Sequence, residues 1–299
     1  MKKIVALGIK LSEEHKKRLS AIGELKVEES PDSIEDFLNK TKNADVIYSN
    51  GDYLIESLPR LTNVFVTYPY IEIGVFNSEE LAKKGVYVAN SRGGNRDSIV
   101  EWAMYIIISL FRKFRDKVRA EQSFNIELHE SLQGKKTLIV GNGSIGSQIG
   151  VLCKAFGMDV SFFDVGDNLA LKSEEADLIV NALNCNSTSK NLLDEKFFMN
   201  LKKGSYYITF VRPYTYDING LIKAIDAGII AGAGIDCDPE SFGDTTNDFY
   251  QKCLGNKKIL VTPHIAFSTK QAVANGREIA IKNIEAFIKG NPQNILTKK

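Results

Sequence analysis

Little in the chain ties it to a metal, an oxidising compartment, a polyanion or a membrane. Its four cysteines (Cys153, Cys185, Cys237, Cys253) form no CxxC pair and have no histidine near enough for a Cys/His zinc cluster. They are expected to stay reduced in a cytoplasmic protein without a metal. Histidine is scarcer still, so His15, His129 and His264 are the whole pool of imidazoles for proton transfer near neutral pH. Lys and Arg number 38 against 37 Asp and Glu, a net charge of +1 that offers a nucleic acid no basic surface. The longest apolar run in a helical context, residues 103–111, is about half the ~20 residues of a membrane span. Lys10 and a charged helix follow the apolar stretch 4–8 at once, so neither a secretory leader nor a membrane partner is expected. No solenoid repeat and no low-complexity tract appears.

What the chain does have is alternation. Short apolar runs at 3–9, 25–27, 44–48, 63–67 and 86–89 read as strands, separated by helical stretches such as 12–22, 34–41 and 78–84. A turn-rich cluster at 90–95 precedes a long helix, 98–118, and a weakly patterned loop, 121–133. A second series of buried strands follows at 137–140, 160–164, 177–182, 205–210, 229–235 and 259–262, and a long helix at 269–289 closes it. This order predicts an α/β protein of two Rossmann-like or flavodoxin-like parallel-sheet domains, one inserted into the other. The outer domain is expected at 1–92 plus 268–299, and the inserted one at 93–267.

Leu138-Ile139-Val140 runs into Gly141-Asn142-Gly143-Ser144-Ile145-Gly146, an apolar strand followed by GxGxxG, with a helix read from Ser147. In that context Gly141 permits the tight turn, Gly143 lets backbone approach a pyrophosphate, and Gly146 lets helix pack on strand. N–H groups at the helix start, with Ser144 and Ile145 beside them, would face the anion. Asp164 ends the next strand, where a carboxylate accepts from both ribose hydroxyls and repels the extra phosphate of NADP. The cofactor expected is therefore NAD, bound by the inserted domain.

Three later segments set polar residues directly after buried strands. They are Thr209-Phe210-Val211-Arg212-Pro213, Asp236-Cys237-Asp238-Pro239-Glu240-Ser241 and Thr262-Pro263-His264. In these motifs, in order and over nearly its full length, the chain resembles the D-isomer-specific 2-hydroxyacid dehydrogenases, in the short form of the glycerate, phosphoglycerate and hydroxypyruvate type. Thr-Pro-His matches outright, Gly157-Met158-Asp159-Val160 follows the family's Gly-Met-x-Val, and Val100-Glu101 stands where Ala-Glu opens its interdomain helix. The resemblance implies hydride transfer between NAD and C2 of a small 2-hydroxy or 2-oxo acid, in a homodimer joined through the cofactor domain. It makes Arg212, Glu240 and His264 the catalytic set, with Val211 and Asp236 on the cofactor side. In that reading His264 exchanges a proton with the substrate oxygen, Glu240 raises its basicity, and Arg212 pairs with the carboxylate. Asp236 is expected to face the nicotinamide.

The departures cluster around the substrate. Where the family has a small-residue loop after the fourth strand, Thr67-Tyr68-Pro69-Tyr70 is bulky, and Pro69 has no N–H to donate. Tyr68 and Pro69 are accordingly expected to shape a different pocket. Pro213 follows Arg212 in place of Gly, and Thr209 replaces Asn. A second class stays open, an NAD(H)-binding redox-sensing co-regulator with little or no turnover.

Overall fold

The computed structural model describes residues 1–71, 74, 76–115, 128–164, 166–237 and 243–297. The chain divides into two compact units, Met1–Asn95 with Thr269–Lys299, and Arg96–Ser268. Both are parallel sheets with helices on both faces.

In unit 1, β1 (Lys2–Leu7), β2 (Gly23–Glu28), β3 (Val46–Ser49), β4 (Phe65–Thr67) and β5 (Tyr87–Ala89) pair in the order β2-β1-β3-β4-β5. This is the flavodoxin-like order. One face is covered by Leu19 of α1 (Glu13–Ile22) and by Ala280, Ile281 and Ile284 of the closing helix. The other is covered by Phe37 of α2 (Ile34–Lys40), Leu54 of α3 (Leu54–Ser57) and Leu81 of α4 (Ser78–Lys83). The division falls after Asn95, a few residues beyond the expected 92, because the turn at 91–94 is bonded into unit 1. Ser91 Oγ donates to the Tyr68 and Gly276 carbonyls, each at 2.8 Å.

Unit 2 opens with α5 (Arg96–Phe111). The expected extension of this helix to residue 118 meets Lys113, whose φ of 47° is not helical; residues 116–127, with much of the expected loop 121–133, lie outside the described residues. Its strands are β6 (Lys136–Val140), β7 (Asp159–Phe163), β8 (Leu178–Asn181), β9 (Ser205–Thr209), β10 (Ile230–Asp236) and β11 (Ile259–Thr262), in the order β11-β10-β9-β8-β6-β7. They alternate with α6 (Ser144–Ala155), α7 (Leu169–Ser173), α8 (Glu195–Met199), α9 (Ile218–Asp226) and α10 (Asp248–Gly255). α5 and α6 pack on one face through Ile106, Ile107 and Ile149, while Phe198, Leu221, Ile225 and Cys253 fill the other. Sheets covered on both faces explain why most strands read as continuous apolar runs. From β6 the chain crosses to β7 on one side and later β8 on the other, and such a reversal opens a crevice at the strand ends. The closing helix α11 (Lys270–Ile288) starts at Thr269, whose side chain accepts from Ala272 N.

Candidate active site

The registers put one residue of every unit 2 strand in a single row: Phe163, Val140, Asn181, Thr209, Ile235 and Val261. The described site residues of this unit follow that row directly. Gly141, Asp164, Arg212, Asp236 and His264 therefore share the C-terminal edge of the sheet, where open α/β sheets build their sites. Strands β9, β10 and β11, about 4.8 Å apart, set Arg212, Asp236 and His264 side by side.

At the β6–α6 turn the three motif glycines have separate reasons. Gly141 has φ +111°, and a Cβ there would lie 2.5 Å from the Ala182 carbonyl oxygen. A Cβ on Gly146 would lie 2.1 Å from the Gly141 carbonyl oxygen, so helix and turn touch. A Cβ on Gly143 would meet nothing within 4 Å, so protein packing does not require that glycine. The helix begins at Ser144, three residues before the expected start, so Ser144, Ile145 and Gly146 form its first turn. Ser12, Ser33, Asp194, Asp217 and Thr269 each cap their helices with a side chain, whereas Gly143 gives α6 none. An uncapped first turn beside open space fits a pyrophosphate. Asp164 stands exposed just past β7, and its N–H donates to Asp167 Oδ2 at 2.9 Å. The nearest downstream cation, Lys172, is held by Asp167 Oδ2 at 2.7 Å and by the Phe162 carbonyl at 2.6 Å. The residues present thus fit a dinucleotide.

The loop carrying Arg212 is pinned from below. Thr209, in the place of the family's Asn, accepts from Val211 N at 3.1 Å. Thr215 donates to the Arg212 carbonyl from its N–H at 3.2 Å and from its hydroxyl at 3.3 Å. Buried Asn181 donates to Thr215 Oγ1 at 2.9 Å and to the Tyr207 hydroxyl at 3.1 Å. The Arg212 side chain is left exposed at the end of this support.

His264 sits in a tight turn with φ 55°, a left-handed conformation uncommon outside glycine. Its N–H donates to the Thr262 carbonyl at 3.1 Å, and its ring meets Phe267 edge-on at 5.6 Å between centroids. Asp236 is tied to the same segment. Its carboxylate accepts three hydrogen bonds from the turn that carries His264. Oδ1 accepts from the Thr262 hydroxyl at 2.6 Å and Ile265 N at 2.9 Å, and Oδ2 from Ala266 N at 2.8 Å. Burial pushes the Asp236 carboxyl above its ordinary pKa, while these three donors and nearby His264 pull it down. Glu240 lies outside the described residues.

Tyr68, expected to shape the pocket, faces inward. Its ring is 1% exposed, in the unit 1 core cluster with Val66, Leu54 and Leu81. The cause is strand alternation carried one residue past β4, which puts Val66 and Tyr68 on one face. Pro69 is half-buried, and a Cβ on Gly276 of α11 would lie 2.2 Å from its carbonyl oxygen. Tyr70 is 45% exposed. Sequence reasoning passed over Gly276, Asn181 and Trp102, whose contacts are with residues far along the chain and leave no local spacing to read.

Residues 103–266 match the NAD binding domain of the D-isomer specific 2-hydroxyacid dehydrogenases. D-3-phosphoglycerate dehydrogenase 2 of Saccharomyces cerevisiae is 30% identical over 241 residues, 70% of this chain and 50% of that protein. The chain thus spans about half the length of the phosphoglycerate dehydrogenases it matches. D-lactate/D-glycerate dehydrogenase of Pediococcus acidilactici is 25% identical over 97% of both chains. In fold, the NAD-complexed D-isomer specific 2-hydroxyacid dehydrogenase of Lactobacillus delbrueckii ssp. bulgaricus superposes with a TM-score of 0.79 at 20% identity, over 98% of this chain and 99% of that one. With the match spanning more than half its length, from within α5 to past His264, the chain belongs to the D-isomer specific 2-hydroxyacid dehydrogenase family and carries its NAD-binding domain.

Proposed function

We propose that the protein is an NAD-dependent dehydrogenase acting at C2 of a small 2-hydroxy or 2-oxo acid. The observation that carries this reading is the shared strand-end row, which sets an exposed Arg and a half-buried imidazole beside a glycine turn built for a dinucleotide. Bound NAD supplies the hydride chemistry; the chain's own residues do the rest. Reduction of a ketone leaves an alkoxide, and His264 as imidazolium delivers its proton; in the other direction the neutral ring takes one. Arg212, its backbone fixed by Thr209 and Thr215, pairs with the substrate carboxylate through two N–H groups and draws charge toward the carbonyl. Glu240, by its place in the sequence, supports the imidazolium. Asp164 selects NAD over NADP by repelling a ribose phosphate.

Acids of lactate or glycerate size come first among substrates, because a relative that aligns over 97% of both chains is a D-lactate/D-glycerate dehydrogenase. The homodimer implied by the family is assigned to unit 2, where α5 exposes Tyr105 and Ile108 next to Phe114. NADH oxidation followed against pyruvate, hydroxypyruvate, glyoxylate and bulkier 2-oxo acids tests the reading. Reduction of at least one small acid is expected. NADH binding with no acid reduced would turn the assignment to a redox sensor.

A further inference from the structure

The turn that carries His264 is supported from one helix further away, by the chain's single tryptophan. Trp102 lies on α5, 9% exposed, and belongs to the buried cluster that also holds Ile106 and Ala266. Its indole N–H donates to Thr262 Oγ1 at 3.1 Å. An indole N–H can only donate, so the hydroxyl accepts there and its one proton is sent elsewhere. It goes to Asp236 Oδ1 at 2.6 Å, a short bond to a charged acceptor. The same carboxylate takes the N–H groups of Ile265 and Ala266, the two residues after His264. His264 is thereby held on both sides in a backbone conformation that a non-glycine residue otherwise leaves.

We propose that Trp102 is a positioning residue for the reaction: through the Thr262 hydroxyl and the Asp236 carboxylate it fixes the left-handed turn that presents His264. The inference rests on the proton-transfer role given to His264 above. Trp102 touches no reacting atom, and Asp236 joins it as part of the scaffold.

Trp102→Phe keeps a buried ring and removes only the donor. In the full chain without cofactor, hydrogen exchange at the Ile265 and Ala266 amides should speed up about tenfold in Trp102→Phe and in Thr262→Val, and stay at the wild-type rate in Thr262→Ser. With NADH and pyruvate or hydroxypyruvate, kcat should fall about tenfold in Trp102→Phe while KM for NADH holds. The double variant Trp102→Phe/Thr262→Val should fall no further than Thr262→Val, because both act through one hydroxyl. Unchanged exchange at the two amides in Trp102→Phe, or a double variant whose losses simply multiply, overturns the proposal. His264→Asn measured alongside separates the two readings. Wild-type turnover in that variant sinks the proton-transfer role itself, whereas an inactive His264→Asn with a fully active Trp102→Phe sinks only the positioning role.

Discussion

Gly143 and Gly146 stand three residues apart and lack a Cβ for different reasons, so substituting them separates folding from binding. At Gly146 the missing atom makes room for the Gly141 carbonyl, 2.1 Å from where a Cβ would be. Gly146→Ala should cost about 1–3 kcal/mol of stability, read as a melting temperature several degrees lower. At Gly143 a Cβ would stand in open space. Gly143→Ala should therefore melt within about a degree of wild type yet bind NADH about tenfold more weakly, measured by NADH fluorescence titration. Equal affinity in that variant would remove Gly143 from the pyrophosphate site. Arg212→Lys should chiefly raise KM for the oxo acid, since a point charge cannot reproduce a two-pronged contact, and initial-rate kinetics decide it. The glycine spacing and Thr-Pro-His were legible in the sequence because each is a local requirement of a turn. The partners of Asp236 were not, since Thr262, Ile265 and Ala266 reach it only once β10 and β11 pair. The inward face of Tyr68 was not legible, because a three-residue strand, β4, leaves too short an alternation to show which way the next residue points.

Elements rich in β-branched residues and covered on both faces, such as β8 and β3, were readable as buried strands from composition alone. Helix ends were harder: α5 stops before Lys113 although the apolar pattern continues to Phe114, because a left-handed residue intervenes. A tie between elements was also invisible. Arg18 of α1 bonds Glu285 Oε1 and Glu278 Oε2 of α11, each at 2.8 Å, and His15 joins at 3.3 Å. His15, one of the three imidazoles, thus belongs to a half-buried cluster with Arg18, Glu278 and Glu285. The Arg18 hydrogen bond holds the Glu278 carboxyl below its ordinary pKa. A lowered carboxylate contributes stability above the usual Glu range and loses it as pH falls through the folded-state value. Arg18→Met should melt a few degrees below wild type at pH 7, a loss of about 1 kcal/mol or less for partly exposed groups. Thermal melts at falling pH should show that gap closing below about pH 4. A gap that stays constant on acidification would mean that the loss is one of packing and that the ionic contacts contribute nothing.

At the scale of the molecule, an inserted α/β unit explains the sequence order of two strand series with one closing helix. The domain order was readable because the second strand series begins after a turn cluster and a long helix; the division itself depends on Ser91 and its bonds to Tyr68 and Gly276. The proposed dimer through unit 2 would hide exposed apolar surface, with Tyr105 at 60% and Phe114 at 50% exposure. Sedimentation velocity should give a dimer, and Tyr105→Glu should shift it to monomer. A wild-type monomer at micromolar concentration would refute the assignment.

In the proposed reaction His264 moves the proton while the glycine turn of the same sheet edge holds NAD. The direct measurement compares wild type and His264→Asn, a residue that tolerates the left-handed backbone, in single-turnover NADH oxidation with the best 2-oxo acid. Unchanged NADH affinity and a rate lower by about three orders of magnitude or more are expected. A His264→Asn protein that binds NADH normally and oxidises it at the wild-type rate would contradict the proton-transfer role.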